Sequence, residues 1–292
     1  MKNVCFIVDS SSGIKNGDYD NVFVVPLVIT VTNKNDSSTK IYHDGIDINE
    51  KTFCDFLHDS QFKINTSQAS IGEIIEVINK VYDKYDEIYA IPIASHISSS
   101  INTWNIIKKD YEKLHVCVNN EVAIGMKWCV EDLLKMWKEG KLNKDSFNDY
   151  FNNYVNSNRI GVLSLNNVQR LVDGGRLSNF KSLILKLFKR KIVIFRDEKG
   201  IHFYKTSNSF IEGINIALKG IKEKFANFDL SKIKRFGICR APNNLNNEQF
   251  EEAIKYTKSL IKCEYKESSD IIPNIILAHT GDDCFYIVFD FE

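Results

Sequence analysis

Short hydroxyl side chains gather at three places in this chain: Ser10-Ser11-Ser12, the Thr66-Ser67-Gln68-Ala69-Ser70 run, and Ser95-His96-Ile97-Ser98-Ser99-Ser100. Each cluster follows a strand-like segment and precedes a helical pattern. In open α/β sheets, ligands sit outside the carboxyl ends of the strands. Helix N-termini there offer free N–H groups that favour an anion. Serine and threonine hydroxyls add neutral donors to a carboxylate or phosphate without adding a counter-charge. For any one cluster N-capping is the better explanation, because Ser and Thr are favoured at helix starts, and only the three taken together, all at strand-to-helix junctions, bring the ligand reading level with it. Ser70, with Glu73 three residues on, has the spacing of a capping box.

Further candidates lie elsewhere. Asp173-Gly174-Gly175-Arg176 sets an arginine on a tight, glycine-permitted turn, and a guanidinium suits planar carboxylate or phosphate recognition. A helix C-cap with a solvated arginine accounts for the same residues. His279-Thr280-Gly281 offers an imidazole and a hydroxyl, or simply a loop histidine satisfied by backbone groups. Asp9, beside its serines, is the candidate nucleophile of a hydrolase or phosphotransferase, but that chemistry needs a general base and no histidine follows Asp9 closely.

Familiar cofactor signatures are missing. The chain has no Gly-x-Gly-x-x-Gly, no phosphate-loop lysine, no His-Glu-x-x-His and no Gly-x-Ser-x-Gly. Its six histidines lack metal spacing, and its seven cysteines form no Cys-x-x-Cys pair. No cofactor, zinc site or disulfide framework is therefore expected. Cys5, Cys117 and Cys239 sit within apolar runs as small hydrophobes, which suits a reducing cytoplasm.

The elements that must position these residues alternate along the chain. Strands are expected at Val4–Val8, Val22–Val31, Glu87–Ala94, His115–Val118, Arg159–Ser164, Lys234–Cys239, Ile275–Ala278 and Cys284–Phe289. A hairpin is expected from Lys191–Arg196 and Ile201–Lys205, turning at Lys199-Gly200. Between them, helical spacing marks Glu50–His58, Ile71–Tyr85, Ile101–Tyr111, Val122–Glu139, Lys144–Asn156, Val168–Val172, Phe180–Phe188, Phe210–Phe225 and Glu248–Ile261. Alternation of this kind implies an α/β fold with parallel or mixed sheets. The pattern changes near residue 158, which separates an N-terminal α/β domain over 1–158 from a C-terminal one over 159–292 with a mixed sheet.

At 292 residues the chain has room for about two domains. Its 38 Lys+Arg balance 38 Asp+Glu, so the broad basic field used to bind nucleic acid is missing. No window holds the roughly 18 uninterrupted apolar residues of a membrane span, so no stable membrane insertion is expected. The N-terminal apolar stretch is too short for a signal peptide.

The motifs taken in order resemble the DegV family of bacterial fatty-acid-binding proteins, which includes the binding subunits of fatty acid kinase. They are Val8-Asp9-Ser10-Ser11, Val25-Pro26-Leu27, Tyr42-His43-Asp44-Gly45, Thr66-Ser67-Gln68-Ala69-Ser70, Ser95-His96-Ile97-Ser98-Ser99-Ser100, Gly174-Gly175-Arg176-Leu177-Ser178 and His279-Thr280-Gly281. The resemblance implies two α/β domains with a long-chain fatty acid in the cleft between them and its tail in an apolar tunnel. It implies that Thr66 and Ser98 hold the carboxylate, with Asn65, Ser67, Ser95, Arg176, His279 and Thr280 in the head-group region. It implies a carrier rather than an enzyme, presenting its acyl group to a separate ATP-dependent kinase subunit. Four departures stand out: Ala69 replaces a family proline, Ser99 a glycine, Asp282-Asp283 a Pro-Gly, and Ser207 the arginine of a Lys-x-Arg. The last bears on phosphotransfer more than on lipid binding, and it leaves room for a family member that has become a protein-binding module.

Overall fold

The computed structural model describes residues 2–166, 168–176, 191–224, 229–242, 247–261, 264–265 and 271–292. The helix expected over Phe180–Phe188 and the Leu177-Ser178 end of the Gly-Gly-Arg motif lie outside them. The chain divides into two compact units, Met1–Asn156 with Pro273–Ile275, and Ser157–Ile272 with Ile276–Glu292.

In the first unit, β1 (Val4–Asp9), β2 (Val22–Val25), β6 (Glu87–Ile91) and β7 (Leu114–Val116) form a parallel sheet in the order β2-β1-β6-β7. Every residue of β1 is buried, which is why it reads as an unbroken apolar run. Its side chains alternate between two layers. Cys5 and Ile7 meet Ile74 and Ile78 of α2 (Ile71–Tyr82) and Trp104 of α3 (Ser100–Ile107). Phe6 and Val8 meet Met126 and Val130 of α4 (Ala123–Lys138), together with Phe147 of α5 (Lys144–Asp149). The helix expected over Lys144–Asn156 widens into a π-helical stretch at Tyr150–Val155 before its final turn, α6 (Asn156–Asn158).

A smaller antiparallel sheet, ordered β4-β3-β5, joins β3 (Val28–Asn33), β4 (Thr39–His43) and β5 (Phe62–Ser67). On one side, Tyr42 and Phe62 pack their rings against Phe56 of α1 (Glu50–His58). The single strand expected over Val22–Val31 is therefore two strands in different sheets. Pro26 has no N–H to give a ladder, and the Leu27 N–H turns to Ser10 Oγ at 3.1 Å. Ser70 does cap α2: its Oγ accepts from Glu73 N at 3.2 Å, and Glu73 Oε2 accepts from Ser70 N at 2.7 Å.

The second unit is a six-stranded mixed sheet ordered β10-β9-β8-β13-β11-β12. It comprises β8 (Arg159–Leu165), β9 (Lys191–Asp197), β10 (Gly200–Ser207), β11 (Ile233–Arg240), β12 (Glu264–Tyr265) and β13 (Cys284–Phe291). All pairings are antiparallel except β11 with β12. The β9–β10 hairpin forms where the sequence predicts it, with Gly200 at φ 105° in its turn. The short helix expected at Val168–Val172 is α7 (Gln169–Asp173). α8 (Phe210–Lys224) and α9 (Asn247–Leu260) cover one sheet face through Ile214, Ile221 and Ala253, packed on Val162, Phe195, Phe236 and Ile287.

The strand expected at Ile275–Ala278 is instead part of a helix, α10 (Asn274–Thr280). Periodicity cannot separate a short buried strand from a buried helical turn. The decisive signals flank the run: Pro273 stands before the helix, and Gly281 ends it at φ 71°, with its N–H donating to Leu277 O at 2.8 Å. Within this unit lies a buried ionic triad. Asp290 on β13 sits 3.3 Å from Arg159 Nε on β8 and 2.6 Å from Arg235 Nε on β11, and neighbouring-strand register brings the three together.

Candidate functional site

In the parallel sheet, the chain steps from β1 to β2 on one side and later to β6 on the other. The carboxyl ends of β1 and β6 therefore flank a topological switch point, the usual crevice for a ligand in such sheets. Asp9 closes β1 there. Its Oδ1 accepts from Ser11 N at 3.1 Å and from the Ser11 hydroxyl, and its Oδ2 accepts from Ile93 N at the end of β6. Ser12 Oγ donates to Asp9 O at 2.8 Å, while Ser10 Oγ accepts from Leu27 N and bonds the Asp44 carboxyl. The Ser10–Ser12 hydroxyls are thus engaged inside the fold as turn-forming groups.

Burial pushes the Asp9 carboxyl up to about 6 against the pull of its three donors. Asp44 rises to about 7, chiefly through burial and further through the Asp9 charge, while Ser10 and the Ile275 N–H, at 3.4 Å, pull it down.

The pleat of β5 sorts the Asn65-Thr66-Ser67 run. Thr66 lies opposite Ile29 on the face that packs inward and is half-buried. Asn65 and Ser67 lie opposite Thr30 and Val28 on the other face and are exposed. The structure thus separates Asn65 and Ser67 from Thr66. Past β6, Ser95 Oγ donates to Asn120 Oδ1 at 3.2 Å, and the Ser95 N–H donates to Asn119 O at 2.8 Å. Ser98 Oγ accepts from Ser100 N at 3.2 Å, a bond that uses a lone pair and not the hydroxyl proton. Gln68 Nε2 donates to Thr103 Oγ1 at 2.8 Å. That bond ties the residue just after β5, the strand that carries Thr66, to α3, which begins two residues after Ser98.

In the second unit, α7 runs into Gly174 and Gly175, and the two glycines serve different ends. Gly175 adopts φ 76°, a region that Cβ-bearing residues avoid. Gly174 has ordinary dihedrals, but a Cβ there would overlap His279 Nδ1. The imidazole, in the last turn of α10, therefore lies against bare backbone. Arg176 folds back to donate from Nη1 to Gly174 O. Burial, then the Arg176 and Arg170 charges, push His279 down to about 4, so the ring is neutral at pH 7. Thr280 Oγ1 donates to Gly281 O at 2.9 Å and accepts from Cys284 Sγ at 3.5 Å, so it braces the helix end. The structure thus groups Arg176, His279 and Thr280.

Two residues the sequence did not single out complete this cluster. Arg170 runs past Gly281 and feels the charges of Asp282 and Asp173. Lys191 donates to Asn166 Oδ1 at 2.7 Å and draws down the Asp283 carboxyl that burial raises. The Asp282-Asp283 pair is therefore matched by a nearby cation for each carboxylate. The only sequence signal for Arg170 was the scarcity of arginine, seven among 38 basic residues. Ser207 ends β10 opposite Lys191 and is buried beneath Gly213 of α8, near Ser164.

Gly174→Ala is expected to displace His279 and to raise its pKa from about 4 toward the ordinary 6.5. Because the folded value lies below the unfolded one, neutral His279 favours folding above about pH 6.5 and loses that effect as pH falls through 4. A histidine-resolved NMR titration reads the shift, and an unchanged His279 titration in the variant would contradict the packing argument.

Among the described residues, no group of three or more His, Cys, Asp or Glu could hold a metal ion, and no helix is long and apolar enough to cross a membrane. The family model of DegV proteins, a family described as uncharacterised, matches residues 3–292. A DegV domain-containing protein of Mycoplasma genitalium is 28% identical over 300 residues, covering 99% of each chain. The solved structure of DegV, a fatty acid binding protein from Bacillus subtilis, is similar at TM-score 0.79 and 17% identity over the full length of both chains. The fatty acid kinase B3 protein of Streptococcus pneumoniae, solved loaded with linoleic acid, is similar at TM-score 0.78 and 14% identity, covering 99% of this chain and 100% of that one.

Proposed function

This chain belongs to the DegV family, and from that premise we propose that it binds a long-chain fatty acid as a cytoplasmic carrier, with Thr66 and Ser98 donating to the carboxylate. The observation that carries this reading is Ser98: a backbone N–H uses one lone pair of its hydroxyl oxygen and leaves the hydroxyl proton as a donor for the carboxylate. Thr66, on the segment tied to the same helix through Gln68 and Thr103, supplies the second. Hydroxyl donors suit a carboxylate that this chain holds without itself reacting with it. Arg176 and neutral His279 are the head-group residues of the second unit, and the tail occupies an apolar tunnel. The six buried thiols among the described residues fit a reducing compartment.

The energetics agree with a carrier. A tail of roughly 16 carbons at about 0.8 kcal/mol per methylene contributes roughly 12 kcal/mol gross, and association and ordering offset a large share. A buried carboxylate without partners would cost several kcal/mol, so the donors decide whether the acid binds. Presentation of the bound acid to a separate ATP-dependent kinase completes the proposal. The alternative of Asp9 as a nucleophile loses its basis, because both carboxyl oxygens accept hydrogen bonds and the residue is 1% exposed.

Native mass spectrometry of the purified protein, followed by solvent extraction, tests the proposal. A stoichiometric long-chain fatty acid is the expected result. Ligand-free protein that also refuses added palmitate and oleate would end the carrier reading and turn attention to protein partners.

A further inference from the structure

One polar group beside the proposed carboxylate donors is left unmatched. Gln68, two residues beyond Thr66, is half-buried, and its Nε2 donates to Thr103 Oγ1 at 2.8 Å. Thr103 is itself buried on α3, five residues after Ser98. The other end of the amide, Oε1, is buried and accepts no hydrogen bond among the described residues. Leaving a buried amide atom unmatched is costly, so such a group is ordinarily paired in the working state of a protein.

We infer that the Gln68 amide is a further head-group contact beside Thr66 and Ser98, and that Thr103 is the positioning residue that holds it there. The inference rests on the fatty-acid reading above and adds a residue to it. A threonine hydroxyl both donates and accepts, so Thr103 can hold either end of the amide. With its oxygen on Thr103, the amide turns its N–H groups to an ionised carboxylate. With its nitrogen on Thr103, the arrangement seen here, it offers an acceptor to a head group that carries a proton. Thr66 and Ser98 supply one hydroxyl proton each, so the amide adds either two further N–H donors or a carbonyl acceptor to this side of the site. A carboxylate at position 68 lacks that choice, since an ionised side chain only accepts.

The test compares oleate with oleyl alcohol, which shares the tail and lacks the charge, on the full-length protein and on Gln68→Glu and Gln68→Met. Gln68→Glu is expected to weaken oleate at least tenfold (about one lost charge-assisted hydrogen bond) while oleyl alcohol binds within about threefold of the parent. Gln68→Met is expected to weaken oleate about tenfold with little change in thermal midpoint, because removing the unmatched Oε1 offsets the lost hydrogen bond to Thr103. If both variants bind oleate like the parent, the role of Gln68 is overturned while the carrier reading stands. Equal loss of both ligands together with a lowered midpoint would make Gln68 a structural residue and overturn the inference too. A parent protein that binds neither ligand would instead refute the fatty-acid reading on which the inference depends.

Discussion

Asp290→Ala is expected to destabilise the second unit by about 3–5 kcal/mol, the usual result of removing one partner from a buried ion pair. Asp290 and Arg159 are both 0% exposed and Arg235 is 6% exposed, so solvent cannot replace the lost carboxylate. Its oxygens divide between the two guanidinium groups, Oδ1 toward Arg159 and Oδ2 toward Arg235. Without it, two cations on β8 and β11 face each other across β13 in a dry interior. A whole domain is stable by only about 5–15 kcal/mol, so the loss is a large fraction of the total. Urea unfolding followed by the far-ultraviolet signal measures it, and Asp290→Asn, which keeps shape and one acceptor, should fall between parent and alanine variant. A loss below about 1 kcal/mol for Asp290→Ala would mean that the arginines find other partners at little cost.

Thr66→Ala combined with Ser98→Ala is expected to lower oleate affinity by about a hundredfold or more. Hydrogen bonds to a charged group contribute about 1.5–3 kcal/mol each, and two of them give roughly 3–6 kcal/mol. Partial exposure of both residues sets the expectation near the lower end. The fold should survive, because Thr66 is only half-buried and Ser98→Ala removes one hydrogen bond just before α3, a cost of about 1 kcal/mol. Titration calorimetry against oleate gives the constants, and Thr66→Ser in place of Thr66→Ala should restore much of the affinity by returning the hydroxyl. Affinity within threefold of the parent in the double variant would remove Thr66 and Ser98 from the carboxylate site.

The sequence by itself determined what depends on neighbours close along the chain. β1 was legible because a strand buried on both faces must be apolar throughout. The start of α2 was legible because the Ser70–Glu73 capping box closes within one turn, and the β9–β10 hairpin because Gly200 marks its turn. The ordered motifs pointed to the family that the whole-chain match then established. Where local pattern carried two meanings, the tertiary structure chose. Val22–Val31 split because Leu27 found Ser10 seventeen residues earlier, and Ile275–Ala278 became helical between Pro273 and Gly281.

The site shows the same division. Three serine and threonine clusters looked alike in the sequence, yet Ser10–Ser12 turn inward to hold Asp9, Asp44 and the backbone, while Ser98 keeps a donor. Strand pleating set Thr66 apart from Asn65 and Ser67. Arg170 with Asp282 and Gln68 with Thr103 are partners 112 and 35 residues apart. Periodicity, capping and turn chemistry act over a few residues, so one sequence window contains them. Which hydroxyl is engaged, which charge is matched and which amide oxygen is left unmatched among the described residues depend on side chains brought together by sheet order and register, and only the folded chain decides those.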